Sequence, residues 1–201
     1  MLEDLFNFVL EGLNNAWCVI LIIILIILYV SLRSREVLYY IEDSNIDKDF
    51  KRKTRNILET STWKRWRSYR ETNDPAIADI YVELAHRDSL DRFHTEPEYY
   101  DEEKTKQIRF SITTHGKGQT PHVYIDHLNW LEGIPASGLT LEEYQTYVIN
   151  HEFGHGLGYD HQPCGAGTGR CPVMYQSTRG CPAGRKCGYM PVEADITALL
   201  V

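Results

Sequence analysis

One short stretch of the sequence spaces its side chains as a metal-binding site requires. Residues 150–161 read Asn-His-Glu-Phe-Gly-His-Gly-Leu-Gly-Tyr-Asp-His, and the pattern HExxHxxGxxH falls on His151, Glu152, His155, Gly158 and His161. If a helix runs through residue 157, the first two imidazoles lie one turn apart on one face. Gly158 then ends the helix, because glycine adopts the left-handed conformation without steric cost. The third histidine can therefore return toward the first two.

Three neutral imidazoles leave one corner of a tetrahedral zinc ion to water, which is the arrangement of a catalytic rather than a structural site. Glu152 flanks the first ligand and can reach that water without binding the metal, so we assign it the role of general base. The expected chemistry is hydrolysis of a peptide bond by a zinc-activated water. One alternative is a helix whose histidines only face solvent. Another is that Asp160 binds the metal in place of His161.

Several predicted elements would position these ligands. Thr140, with Glu143 three residues later, predicts a capping box at the start of the ligand helix. Residues 80–84, 108–113 and 123–125 have the alternation or β-branched composition of strands. We expect these strands to form a small twisted sheet that packs against the helix. Residues 191–200 begin with proline and acids and end apolar, which predicts a short C-terminal helix.

Met174 follows the third histidine in a segment where a tight turn could pass beneath the metal. A long zinc motif followed by a methionine-bearing turn resembles the metzincin clan of zinc peptidases. Residues 147–164 and 172–178, with Gly180 and Cys181, are more specifically similar to a zincin-like family of unknown function found in membrane-anchored actinomycete proteins. Weaker similarity begins near Ile57.

The resemblance implies an α+β, zincin-like fold with a small mixed sheet on an active-site helix. Carried over residue by residue, it implies these roles: zinc ligands His151, His155 and His161, base Glu152, and structural supports Gly158 and Met174. It also implies a peptide or protein substrate that pairs with the edge strand beside the cleft. Several metzincins carry a tyrosine two residues after the methionine. This chain has Gln176 there and Tyr175 beside the methionine, so we do not transfer that role.

Four of the five cysteines cluster around the proposed methionine turn: Cys164, Cys171, Cys181 and Cys187. The cluster predicts two disulfides, with three possible connectivities, and an oxidising compartment. The alternative is a second, structural zinc site, although the segment contains no CxxC pair. Cys171 and Cys187 depart from the pattern of the actinomycete family, so the bridging could differ from that family.

An apolar run near the N-terminus contains no charged side chain and predicts one uncleaved membrane anchor at residues 16–32, after a tail of residues 1–15. A cleaved signal peptide is the alternative, but the preceding residues include acids and no Lys or Arg. Residues 33–55 are charged and predict a stalk, which leaves residues 56–201 as the zincin-like domain. Basic residues after the run favour a cytosolic domain. The cysteines and the family resemblance favour a lumenal or extracellular one, which we expect.

The length of 201 residues fits one domain, and the net charge of -7 argues against a nucleic-acid partner. Residues 63–70 interleave basic and aromatic side chains, which suits binding of phosphates, lipid headgroups or single-stranded nucleic acid. The alternative is inward packing of Trp63 and Trp66. We favour packing. The histidines outside the motif do not repeat at ligand spacing and are expected in loops or at the surface: His86, His94, His115, His122 and His127.

Two other functions suit the same residues. The first is a non-catalytic, membrane-tethered binding module that keeps a metal-stiffened zincin fold. The intact Glu152 argues against it, because a binder has no need of a general base. The second is a zinc amidase or esterase that acts on a non-peptide substrate.

Overall fold

The computed structural model describes residues 19–25, 35–93, 110–114, 119–165 and 169–200. The chain divides into two compact units, Met1–Glu36 and Val37–Val201. In the first unit residues 19–25 are helical, and their side chains are exposed. The rest of the predicted anchor and the predicted N-terminal tail lie outside the described residues. Within the described part of the chain, no helix combines the length and apolar character needed to cross a bilayer.

A five-stranded mixed sheet forms the framework of the second unit. Its strands are β1 (Val37–Ile41), β2 (Tyr69–Glu71), β3 (Ile80–Ala85), β4 (Ile112–Thr114) and β5 (His122–Asp126). They lie in the order β2-β1-β3-β5-β4. Neighbouring strands are parallel except at the β4 edge, where β4 runs antiparallel to β5. The fold is therefore α+β with a mixed sheet, as predicted.

The helices of this unit are α1 (Phe50–Thr60), α2 (Arg87–Leu90), α3 (His127–Glu132) and α4 (Leu141–Gly156). α4 packs against β5 and β4 on one side and against α1 and α3 on the other. The core lies between the sheet and α4. Its largest fully buried side chains include Trp63, Trp130, Tyr144, Tyr147 and Phe153.

The start of α4 confirms the predicted capping box. The Thr140 hydroxyl accepts a hydrogen bond from the Glu143 backbone N–H at 3.2 Å, and the Glu143 carboxylate accepts one from the Thr140 N–H at 3.1 Å. These bonds satisfy two N–H groups that the first turn of a helix leaves without partners. The helix therefore begins at a fixed residue, which sets the orientation of every later side chain on it.

The predicted stalk is wrong, because residues 37–55 belong to the folded unit. Tyr39 and Ile41 alternate into the core from β1, which is an inner strand of the sheet. In α1 the buried residues are Phe50, Thr54 and Leu58, one in each turn, with charged residues between them. Because only one residue in each turn is buried, the sequence of α1 shows no sustained apolar periodicity. The charges that suggested a stalk instead form the outer face of α1.

The other predicted elements agree with the structure more closely. β3 and β5 include the predicted residues 80–84 and 123–125. β4 covers residues 112–113 of the predicted strand 108–113, and residues 108 and 109 lie outside the described residues. Just before β4, the Ser111 hydroxyl accepts the Asp126 backbone N–H at 3.0 Å. A 3₁₀ helix at Glu193–Leu200 occupies the predicted C-terminal helix.

Two disulfides join the predicted cysteines, Cys164–Cys171 and Cys181–Cys187. They brace the segment between α4 and the C-terminal 3₁₀ helix. Two short parallel strands in that segment pair with each other, β6 (Gly169–Arg170) and β7 (Arg185–Lys186). Because none of these four cysteines is a free thiol, the alternative of a structural zinc site among them is excluded.

Candidate metal centre

The first two histidines of the motif lie one turn apart on α4, as their spacing predicts. His151 is 4% exposed and His155 is half-buried. Their rings are nearly perpendicular, and their Nε2 atoms are 3.3 Å apart. Two nitrogens from one rigid helix therefore converge on the same point.

The turn after α4 brings the third histidine to that point. Gly158 has φ +92°, in the left-handed region that favours glycine. Its N–H donates to the His155 carbonyl at 2.8 Å, and the Tyr159 N–H donates to the Gly154 carbonyl at 3.0 Å. This bond pair is a Schellman motif, which ends the helix and reverses the chain. His161 consequently lies with its Nε2 3.2 Å from the Nε2 atoms of both other histidines.

Backbone carbonyls fix the tautomers of two of the rings. The Nδ1 of His151 lies 2.8 Å from the Val173 carbonyl oxygen, and the Nδ1 of His155 lies 2.8 Å from that of Tyr159. A carbonyl can only accept, so each Nδ1 carries the hydrogen and each Nε2 presents its lone pair. The Nε2 lone pairs of the two rings are thereby left available to a metal ion.

The protonation states of the histidines also suit metal binding. Burial, with a further contribution from His155, holds the pKa of His151 well below its ordinary value. Burial also lowers the pKa of His161. Both rings therefore favour the neutral form, which is the form that binds a metal.

Together these three histidines make a group that could hold a metal ion. Among the described residues, no further histidine, cysteine or acid belongs to the group. Asp160, the alternative third ligand, is exposed and lines the adjacent cleft without joining the group. The predicted set of three ligands is therefore the set that the fold brings together.

Glu152 lies beside this cluster, where sequence analysis placed the general base. It is 6% exposed, and the Thr113 hydroxyl on β4 donates to its Oε2 at 2.8 Å. Burial raises the pKa of the Glu152 carboxyl to about 7, although the hydrogen bond from Thr113 opposes the shift. A carboxyl with a pKa near neutrality can both accept and release a proton.

Met174 is fully buried and packs against α4 at Gly154. A Cβ atom at Gly154 would come within 2.5 Å of the Met174 sulfur and 2.9 Å of the Trp63 ring. Gly154, which lies between His151 and His155 on α4, therefore allows this close packing. Sequence analysis did not single out Gly154, although a glycine in a helix interior costs about 1 kcal/mol and so indicates a packing reason.

Asp195, which sequence analysis also missed, holds the chain around Met174. Its side chain is fully buried and accepts hydrogen bonds from the backbone N–H groups of Met174 at 2.8 Å and Val192 at 2.7 Å. Val173, the acceptor for His151, directly precedes the methionine. The C-terminal 3₁₀ helix is thus linked to His151 through the backbone of Val173 and Met174.

Asn150 and Gln176 had no role that the sequence could assign. Asn150 is fully buried, and its amide donates to the carbonyls of Thr146 and Tyr189, both at 3.0 Å. Its backbone carbonyl accepts the Trp63 indole N–H at 2.9 Å. Asn150 therefore connects α4 to neighbouring segments, whereas Gln176 lines the cleft beside the histidines.

A cleft of 330 Å³ opens over the three histidines and Glu152. One wall is the β4 edge with the residues before it, Phe110 and Ser111, and the facing wall includes Gln176 and Thr178. The cleft therefore gives a ligand access to the cluster alongside a sheet edge.

The other histidines that the structure describes lie apart from the cluster. His122 contacts Glu83 on the sheet at 3.1 Å, and His127 accepts the Arg87 backbone N–H at 3.0 Å. His86 lies against His127. His94 and His115 are outside the described residues.

The basic and aromatic segment at residues 63–70 packs inward, as we favoured. Trp63 is fully buried and stacks on Tyr159, with ring centroids 4.7 Å apart, and Trp66 packs partly buried against the core.

A comparison with curated proteins gives no match to this chain. A comparison with protein families matches residues 67–186 to a family described as "Protein of unknown function (DUF3152)". The match spans more than half of the chain and includes the three histidines, Glu152, Gly158 and Met174. The chain therefore belongs to the DUF3152 family of proteins of unknown function.

Proposed function

We propose that this chain is a membrane-anchored, zinc-dependent endopeptidase with a zincin-like fold of the metzincin type. The observation that carries the proposal is the convergence of three Nε2 atoms, 3.2 to 3.3 Å apart, beside the buried carboxyl of Glu152. A binding module would gain nothing from placing a carboxyl there, because burying a carboxyl costs stability.

Zinc is the metal that suits these donors. A tetrahedral ion with bonds of about 2.0 to 2.1 Å to histidine has neighbouring ligand atoms roughly 3.3 to 3.4 Å apart. The separations of the three Nε2 atoms, 3.2 to 3.3 Å, agree with that edge length. Three imidazoles, two of them with Nδ1–H groups oriented by backbone carbonyls, are also a donor set that zinc prefers.

When bound, zinc would lower the pKa of a water molecule and polarise the carbonyl of the scissile bond. Glu152 would take a proton from the attacking water and deliver it to the leaving amide nitrogen, so that one water and one peptide bond become a carboxylic acid and an amine. Its pKa of about 7 suits both transfers. An extended peptide would lie in the cleft along the edge of β4.

The location of the domain is part of the proposal. Two disulfides in one small domain are typical of proteins in oxidising compartments. We therefore propose that residues 16–32 anchor the protein and that the catalytic domain faces the lumen or the extracellular side.

The test is peptide cleavage by the purified full-length protein, measured on casein and on a peptide library with and without a chelator. We expect about one zinc per chain and cleavage that the chelator removes and added zinc restores. Glu152→Gln should keep the zinc but lose about a hundredfold or more in kcat, which is the size of a general acid-base contribution.

Other results point to other functions. Zinc binding without cleavage of any peptide would favour the binding module. Turnover of amide or ester substrates alone would favour the amidase or esterase. A Glu152→Gln protein that cleaves peptides at the wild-type rate would contradict the role of Glu152.

A further inference from the structure

Thr113 contacts Glu152 through two different atoms. Its hydroxyl oxygen lies 2.8 Å from the carboxylate Oε2 and 2.9 Å from the backbone carbonyl oxygen of the same residue. Thr113 lies opposite Val123 in the β4–β5 register, and Val123 is buried. Cross-strand partners point to the same face of a sheet, so Thr113 points toward α4.

The two contacts place the hydroxyl against Glu152 at fixed distances. A threonine hydroxyl donates one hydrogen, and both the Oε2 and the backbone carbonyl oxygen of Glu152 can accept it. Because the β4–β5 pairing fixes the position of Thr113, the contact with Oε2 holds the buried carboxyl in one orientation. Removal of the hydroxyl would take this partner away from Oε2.

We propose that Thr113 is a positioning residue that holds the Glu152 carboxyl in one orientation beside the three histidines. The inference rests on the proposed peptidase function, in which Glu152 is the general base. Thr113 itself neither gains nor loses a proton. Because Thr113 is on the edge strand of the cleft, the strand expected to bind the substrate also holds the base.

The test compares three full-length variants. Thr113→Val keeps the shape and removes the hydroxyl, Thr113→Ser keeps the hydroxyl, and Thr114→Val is the matched control. Thr114 is the next residue of β4 and lies opposite His122, so it points to the other face of the sheet. For each variant kcat and KM on one peptide, zinc content and thermal unfolding are measured. Crystal structures of wild type and Thr113→Val compare the orientation of the Glu152 carboxyl.

We expect Thr113→Val to lower kcat about tenfold to a hundredfold, a part of the general acid-base contribution. Its KM and zinc content should stay at the wild-type level, and its Glu152 carboxyl should rotate or occupy two orientations. Thr113→Ser should restore kcat to within about threefold of wild type. A crystal structure of Thr114→Val should show the Glu152 carboxyl in its wild-type orientation.

Two kinetic results would overturn the proposal. One is a Thr113→Val protein with wild-type kcat, and the other is a Thr113→Ser protein as slow as Thr113→Val. An unmoved carboxyl in the Thr113→Val crystal would do the same without reference to activity. Failure of the wild-type protein to cleave any peptide would instead refute the peptidase function, and the crystal comparison would still decide whether Thr113 orients Glu152.

Discussion

Replacing Glu152 with glutamine should stabilise the metal-free protein at neutral and alkaline pH. The carboxyl is 6% exposed, and its burial raises its pKa from 4.5 to about 7. The folded state therefore favours the protonated form more than the unfolded state does. The stabilisation from this group is complete below pH 4.5 and is lost as the pH rises through about 7. Glutamine is neutral throughout and can still accept the hydrogen bond from Thr113.

The magnitude follows from the size of the shift. Each pKa unit corresponds to 1.36 kcal/mol, so the rise from 4.5 to about 7 is equivalent to about 3 kcal/mol. The free energy of unfolding of Glu152→Gln, minus that of wild type, should increase by this amount between about pH 4.5 and pH 8. Taking the difference at each pH largely cancels the titration of the three histidines, which both proteins share.

The assay is urea unfolding of both full-length proteins in chelator across this pH range. Glu142→Gln is the control, because Glu142 lies on the same helix and is exposed to solvent. It controls for the loss of one carboxylate from this helix. A difference between Glu152→Gln and wild type that stays constant with pH would refute the reasoning, since it would show that folding does not change the affinity of Glu152 for a proton.

Two further predictions concern the packing of the site and its metal. Gly154→Ala should lower the free energy of unfolding by about 3 kcal/mol or more through overpacking, because its Cβ would meet Met174 and Trp63. Gly158→Ala, measured by the same urea unfolding, should cost only about 1 to 2 kcal/mol for the left-handed conformation, and an equal loss in both variants would contradict the packing argument. Zinc should be released in mild acid, starting below the ordinary histidine pKa of about 6.5, because burial lowers the pKa values of His151 and His161. Equilibrium dialysis measures the bound zinc, and full occupancy at pH 4 would contradict ligation by three histidines.

The ligand set could be predicted from sequence because its determinants are local. The three histidines lie within one helix and the turn that follows it, and Gly158 fixes that turn through its own φ angle. The capping box at Thr140 is equally local. Each depends on contacts between residues a few positions apart, so spacing along the chain determines their arrangement in space.

The supports of the site could not be predicted in the same way, because they come from distant segments. Thr113 is 39 residues from Glu152, and Asp195 is 21 residues from Met174. A threonine in a strand and an acid in a first helical turn have ordinary local explanations. β1 was missed for a similar reason, since its parallel partners begin at Tyr69 and Ile80.

One of these distant supports, Asp195, acts on the ring of His151. The His151 Nδ1 donates to the Val173 carbonyl, and the next residue, Met174, is held by Asp195 through its backbone N–H. The orientation of the His151 ring therefore depends on a C-terminal segment that lies beyond the residues matched to the family. Because the Nε2 atoms of His151 and His155 are only 3.3 Å apart, a small shift of this backbone would separate two nitrogens that could hold one ion. The C-terminal 3₁₀ helix is thus as much a part of the candidate metal centre as the helix that carries its first two histidines.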